Sequence, residues 1–402
     1  MSKLEELIQK YCPDGVEYHK VKDVYKRLKG TPITAGKMKE INTPGGAIRV
    51  FAGGKTVIDA NEEDIPNANI TRVPAVLVQS RGVIDAVYYD KPFTFKNEMW
   101  AYTAKDIPSV KYLYYVLKAN IQTFRDAASG MGSLPQISLG VTEDYKIPVP
   151  PLPVQEEIVR VLDTFTELQA ELQAELQAEL QKRLQQYNYY RDNLLSFDGE
   201  HNLLWGLIKQ YCPDGVEYHK VKDVYKRLKG TPITAGKMKE INTPGGAIRV
   251  FAGGKTVIDA NEKDIPNANI TRVPAVLVQS RGVIDAVYYD KPFTFKNEMW
   301  AYTAKDIPAV KYLYYVLKAN IQTFRDAASG MGSLPQISLG VTEDYIIPVP
   351  PLPVQQRIVD ILDRFNAITT DLTAGLPAEI EARRQQYEYY RDKLLTFKRK
   401  EA

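Results

Sequence analysis

With 402 residues, 44% hydrophobic and 25% charged, the chain has the length of two or three domains and the composition of an ordinary globular protein. A formal net charge of +3 does not mark a nucleic-acid binder by itself, so a basic face has to be sought in how the charges are distributed. Cys12 and Cys212 make no disulfide framework, MSKLEELIQKYCPDG has no apolar signal core, and no run approaches the roughly 18 apolar residues of a membrane span; these features predict a cytoplasmic protein.

In chain order, the first 150 residues read as mixed α and β. AIRVF, AVLVQS and GVIDAVYYD look like strands and are separated by the turn-rich pieces NTPGG, FAGGK and SRG. KYLYYVLKANIQTFRDAA follows, with Val110, Leu113, Tyr114, Leu117, Ile121 and Phe124 at helical spacing. The expectation is a sheet packed against one long helix. Lys26, Arg27, Lys29, Lys37 and Lys39 cluster early, Lys55 follows two glycines and Arg81 sits in a turn, which predicts one basic, loop-rich face suited to phosphates and base edges.

A helix starts next, in PLPVQEEIVRVLDTF. Val154, Ile158, Val161, Leu162 and Phe165 share a face, and Glu156 and Glu157 lie where carboxylates suit the helix dipole. ELQAELQAELQAELQ continues it with strong helix formers. Leu168, Leu172, Leu176, Leu180 and Leu184 recur every four residues, so the stripe drifts by about 40° per repeat and a crossing partner helix could follow it. Residues 151–198 form this spacer.

The rest is a second copy. Tyr11 to Gln155 recurs as Tyr211 to Gln355 with three changes: Glu63 to Lys263, Ser109 to Ala309 and Lys146 to Ile346. A second domain thus occupies 199–350, with DGEHNLLWGLIKQ as the seam, and a second helical segment occupies 351–402. Gly375 and Pro377 are expected to divide that segment into two pieces. The order is domain, helix, domain, helix, and whatever the first domain does the second does too.

Signals for catalysis are thin. No GxxxxGK-S/T loop is present, the three histidines are scattered, and the cysteines lack a CxxC partner for a metal. No carboxylate pair stands out as a general acid and base.

The run SGMGSLPQISLGVTEDYKIPVPPLPVQEEIVRVLDTF, its second copy ending IPVPPLPVQQRIVDILDRF, the closing RRQQYEYYRDKLLTF and the CPDGVEYHKV that opens each copy resemble the specificity subunits of type I restriction-modification systems. The resemblance spans essentially the whole chain. It implies two target recognition domains held apart by an antiparallel pair of long helices with internal pseudo-two-fold symmetry. It also implies a non-catalytic reader of double-stranded DNA on which two methyltransferase subunits dock, joined for restriction by nuclease and translocase subunits. Cofactors are expected on those partners, as S-adenosylmethionine, magnesium and ATP, and none on this chain; no adenine-methyltransferase tetrapeptide (Asp, Asn or Ser, then Pro-Pro, then an aromatic) occurs here. The near identity of the two domains departs from the family picture of an asymmetric target.

The residues expected at the DNA are Lys37, Lys39, Lys55, Ser80, Arg81, Ser133 and Gln136, with Lys237, Lys239, Lys255, Ser280, Arg281, Ser333 and Gln336 in the second copy. They stand in predicted turns whose glycines let the backbone approach a ligand, and arginine is shaped for a bidentate contact to guanine. The uniform leucine repeat reads as a ruler that sets the distance between two half-sites. Two other readings stay open: a bivalent DNA-binding regulator or coiled-coil scaffold without methylation partners, and a methyltransferase complete in itself.

Overall fold

The computed structural model describes residues 2–129, 134–329 and 334–400, without the side chains of 368–374, 376 and 377. It divides into two units, 1–176 with 377–402 and 177–376.

In the first unit the four-stranded antiparallel sheet has the order β2 (Lys26–Leu28), β8 (Trp100–Thr103), β5 (Ala75–Gln79), β6 (Asp85–Tyr89). A three-stranded sheet places β3 (Ile48–Phe51) between antiparallel β4 (Val57–Ala60) and parallel β7 (Phe93–Phe95). β1 (Tyr18–Lys20) pairs with β9 (Lys146–Pro148). The two-residue period sorts the side chains. Val76, Val78, Trp100 and Tyr102 enter the core shared with the helices, while Ala75, Leu77, Met99 and Ala101 enter a second core with Phe51, Phe93 and Phe95. Because both faces of Ala75–Gln79 are covered, it reads as a continuous apolar run rather than as alternation. The second unit repeats this order, strand for strand.

The expected long helix is two. α4 (Ile107–Ala119) ends at Asn120, whose Nδ2 donates to the Val116 carbonyl at 2.8 Å, and α5 (Ile121–Asp126) sets off anew. Asparagine competes for backbone groups in this way and so suits helix ends better than interiors.

The central helix spans Leu152–Leu195 and the C-terminal helix Leu352–Leu394. The second runs unbroken through Gly375 and Pro377, against expectation. A proline removes one hydrogen bond and costs about 3 kcal/mol, which bends or weakens a long helix without having to end it. Val154, Ile158, Val159 and Leu162 of the central helix are buried in the first domain's core, and so is Leu395, with Leu394 and Phe397 packed against it. The strand-like stretch after the C-terminal helix bridges Val16 to Arg399, and the Tyr18 hydroxyl donates to the Phe397 carbonyl at 3.1 Å. In the second unit Leu194 is buried in the equivalent core, packed by Tyr187, Leu195 and Phe197. Each domain is therefore closed by two helix ends, one from the helix that follows it and one from the other helix.

Within the first unit the helices run antiparallel: Phe165 meets Tyr390, Thr166 meets Tyr387, and Leu172 and Leu176 border a cleft with Ile380 and Arg383. Their seam is loose, with openings of about 320 and 260 Å³. Leu168 is 56% exposed, and Leu172, Leu176, Leu180 and Leu184 are half-buried, so the leucine stripe is not a closed core.

Candidate nucleic-acid interface

Four loops and a short helix converge at one surface of each domain. α3 (Ala35–Glu40) is capped by Thr34, whose hydroxyl accepts the Lys37 N–H at 3.2 Å, and it is held down by Met38 and Ile41 in a small core of their own. The FAGG turn meets the SRG turn through Gly54, whose N–H donates to the Arg81 carbonyl at 2.8 Å. Gly54 and Gly82 have φ of 70° and 78°, a region that a side chain disfavours, so both turns depend on glycine. Gly82 N–H donates to the Pro135 carbonyl at 2.8 Å, and Arg81 bridges to Gln136, which draws the segment after residue 133 onto the same surface. The FKNEMW turn between β7 and β8 supplies Lys96 and Glu98.

In the second unit these parts enclose a cleft of about 510 Å³ whose lining includes Lys239, Gly254, Arg281, Lys296, Glu298 and Leu334. A more polar cleft of about 570 Å³ adjoins it, bordered by Arg227, Lys229, Asn297, Glu298 and Gln336. Glu298 belongs to both. Burial pushes its carboxyl up, but the Lys296 ammonium and two backbone N–H groups outweigh that and hold it below the usual glutamate range.

The expected residues fare differently. Lys39, Lys55, Arg81 and Gln136 are exposed, as are Lys239, Lys255, Arg281 and Gln336. Arg81 and Arg281 form no ion pair among the described residues, which leaves the guanidinium available to a ligand. Lys37 and Lys237 are exposed but pair with Glu40 and Glu240 at 2.9 and 2.8 Å, an exchangeable contact one helical turn away. Ser80 and Ser280 do not face solvent: both are fully buried and donate to the Glu98 and Glu298 carbonyls, so they brace the turns from behind. Ser133 and Ser333 lie outside the described residues. Sequence reasoning missed Lys96 and Glu98; the signal was a charged, Asn-containing turn between two strands too short to register as strands.

The rest of the chemistry is sparse. Among the described residues no group of three or more His, Cys, Asp or Glu is arranged to hold a metal, and no helix is long and apolar enough to cross a membrane. Both cysteines are buried, which pushes their thiols up.

A family model for the type I restriction modification DNA specificity domain matches the chain twice, over residues 13–182 and 213–382. The chain is 34% identical to the EcoR124I/EcoR124II type I restriction enzyme specificity subunit of Escherichia coli across 73% of its own length and 72% of that protein's. It is 27% identical to the type I restriction enzyme MpnII specificity subunit of Mycoplasma pneumoniae across 66% and 92%. Two solved structures share the fold. One is the S subunit of a type I restriction-modification system from M. genitalium, at 18% identity with 95% and 96% of the two chains covered and a TM-score of 0.51. The other is a chain from a type I system studied for complex assembly and conformational transition, at 16% identity, 95% and 98% coverage and a TM-score of 0.65. Two matches to one domain model, on two copies of one loop-built basic surface, place this protein in the family of type I restriction-modification specificity subunits.

Proposed function

We propose that this chain is the non-catalytic DNA reader of a cytoplasmic type I restriction-modification enzyme, and that each of its two recognition domains (1–150 and 199–350) reads one half of a bipartite target in double-stranded DNA. The observation that carries this is the doubled surface of glycine-shaped turns on which Lys55 and Arg81, with Lys255 and Arg281, are exposed and form no ion pair among the described residues. Lys39 and Lys55, with Lys239 and Lys255, suit phosphates; Arg81 and Gln136, with Arg281 and Gln336, suit base edges. Near-identical domains that read the same half-site on opposite strands give an interrupted palindrome. Glu63 to Lys263, Ser109 to Ala309 and Lys146 to Ile346 all lie off that cluster of turns and leave the base choice alike in both halves.

The helices at 151–198 and 351–402 serve as the spacer and as the frame for two methyltransferase subunits, which bring S-adenosylmethionine; restriction and translocase subunits, with magnesium and ATP, join that assembly. Exposed aromatic side chains on the helices support a docking role. Tyr389 is 62% exposed beside Tyr390 in one unit, and Tyr189 is 65% exposed beside Tyr190 in the other, one matching patch for each of two identical partners.

The test is to assemble the chain with the methyltransferase subunits encoded beside it and sequence the methylated adenines in DNA exposed to the complex. A methylated, interrupted palindrome is expected. Two unrelated half-sites, or a chain that never recruits a methyltransferase, would contradict the reading.

A further inference from the structure

Glu98 and Glu298 are carboxylates set beside the exposed cations and amides of this surface, and each is held in place by the same three contacts. Oε1 of Glu98 meets Lys96 Nζ at 3.0 Å and accepts the Gly53 N–H at 3.4 Å, while the buried Ser80 hydroxyl donates to the Glu98 main-chain carbonyl. The second copy repeats all three contacts, with 2.9 Å to Lys296 and 3.4 Å from Gly253. A Cβ at residue 53 would come within 3.3 Å of that Oε1, and one at residue 253 within 3.6 Å of its counterpart, so the glycine lies directly against the carboxylate. The Glu98 side chain keeps 28% of its surface exposed, and Glu298 borders both clefts. A carboxylate has about four acceptor sites, more than these protein donors fill.

A negative charge amid a DNA-facing basic surface weakens phosphate binding, so its gain has to come from a donor on the DNA. In the major groove the only base donors are the amino groups of cytosine and adenine. Adenine sets its N7 acceptor beside the amino group, where a carboxylate is repelled. A C·G pair sets the cytosine amino group beside the guanine O6 and N7 acceptors, which matches a carboxylate with an ammonium about one hydrogen bond away. Building on the DNA-reading function proposed above, we infer that Glu98 and Glu298 each accept the N4 amino group of a cytosine in their half-site, with Lys96 and Lys296 facing the guanine of the same pair.

The test uses the full chain with its methyltransferase subunits, as parent and as the double variant E98Q/E298Q. Glutamine keeps the shape and the acceptor for Gly53, but its amide matches adenine instead. The expected result is that one fixed cytosine in each half-site of the methylated motif relaxes to admit adenine, and that affinity for a duplex carrying the parent motif falls by roughly 5- to 150-fold per half-site. Affinity for unrelated duplex DNA should not fall. An unchanged motif with unchanged or uniformly increased affinity would overturn the inference and make Glu98 a brace for its turn. Should the double variant melt well below the parent, E298Q alone decides the matter: only one half-site should relax, and a motif still symmetric would overturn it. If the parent complex itself yields no bipartite motif, it is the underlying functional reading that fails.

Discussion

Phe165 lies flat on Tyr390, ring centroids 6.4 Å apart and planes 9° from parallel. The partners reverse in the other unit, where Phe365 stacks on Tyr190 at 5.0 Å and 23°. Thus the start of each long helix is matched to the end of the other, by the same pair of residue types 200 positions apart. Replacing Phe165 and Tyr390 by Ala should remove about 0.5–1.5 kcal/mol of stacking beyond lost area. Amide exchange should then speed up over residues 380–395 while the Tyr190–Phe365 region exchanges as before; equal acceleration in both regions would show that the stack does not act locally.

The leucine repeat gives a second prediction. Deleting one LQAE unit shortens the central helix by about 6 Å, an upper limit of nearly two base pairs at about 3.4 Å each. Only one of two paired helices changes, and the half-site also rotates by about 34–36° per base pair at 10–10.5 base pairs per turn. The methylated motif should keep its half-sites and lose one base pair from its gap. An unchanged gap at full activity would mean that the distance is set elsewhere.

Arg81 and Lys55 should separate in kind. R81A/R281A is expected to cost about 1–3 kcal/mol per half-site on the target and to relax one position of the motif. K55A/K255A should weaken binding to all sequences alike and lower the salt dependence by about one phosphate contact per domain. Titrations of target and unrelated duplexes at several salt concentrations distinguish the two, and a uniform loss from the arginine pair would reassign it to the phosphates.

Acid should act first on the first unit. Glu157 is buried and bonded to Arg160 at 2.6 Å and Lys3 at 2.9 Å, and these cations hold its carboxyl near pH 2, below the ordinary 4.5. A carboxylate with a depressed folded pKa contributes stability that is present above its ordinary value and is lost as pH falls from about 4.5 toward about 2. Arg357 stands at the equivalent place in the second unit, so this particular loss is absent there. Hydrogen exchange at pH 6 and pH 3.5 should show α1 (Lys3–Tyr11) loosening before its counterpart Trp205–Tyr211. The E157Q variant should shrink the difference, leaving the part that belongs to the Ser2–Glu5 capping box, which Trp205–Tyr211 lacks.

An N-cap offers a finer comparison between the copies. Asp106 accepts the Ser109 N–H at 2.8 Å, whereas Asp306 makes no such bond to Ala309. D106A should cost about 1 kcal/mol in the first unit, and D306A much less in the second, as read from denaturant melts of the two single variants.

Much of this architecture was legible because it rests on period and repetition. Ala75–Gln79 and the leucines of the central helix announce themselves by spacing, and the duplication by simple identity. Phe93–Phe95 and Trp100–Thr103 were not seen, being short and flanked by no clear turn pair, and Lys26–Leu28 looked like a charge cluster because its side chains are mostly exposed. Pro377 misled because a local penalty does not override a 43-residue helix. At the candidate interface, Arg81 is the exposed turn cation that its residue type and position suggest, but whether a turn hydroxyl faces outward is decided by tertiary packing, and at Ser80 it faces in. Glu98 was passed over since a search for cations has no place for an acid.

The burial of Leu395 against the first domain, with the bridge from Val16 to Arg399, sets an order on synthesis. Everything the second unit needs lies between residues 177 and 376, whereas the first waits for residues 377–400. The half translated first is thus the half completed last. A chain cut after residue 376 keeps every segment of the second unit but leaves the first domain with its apolar flank uncovered.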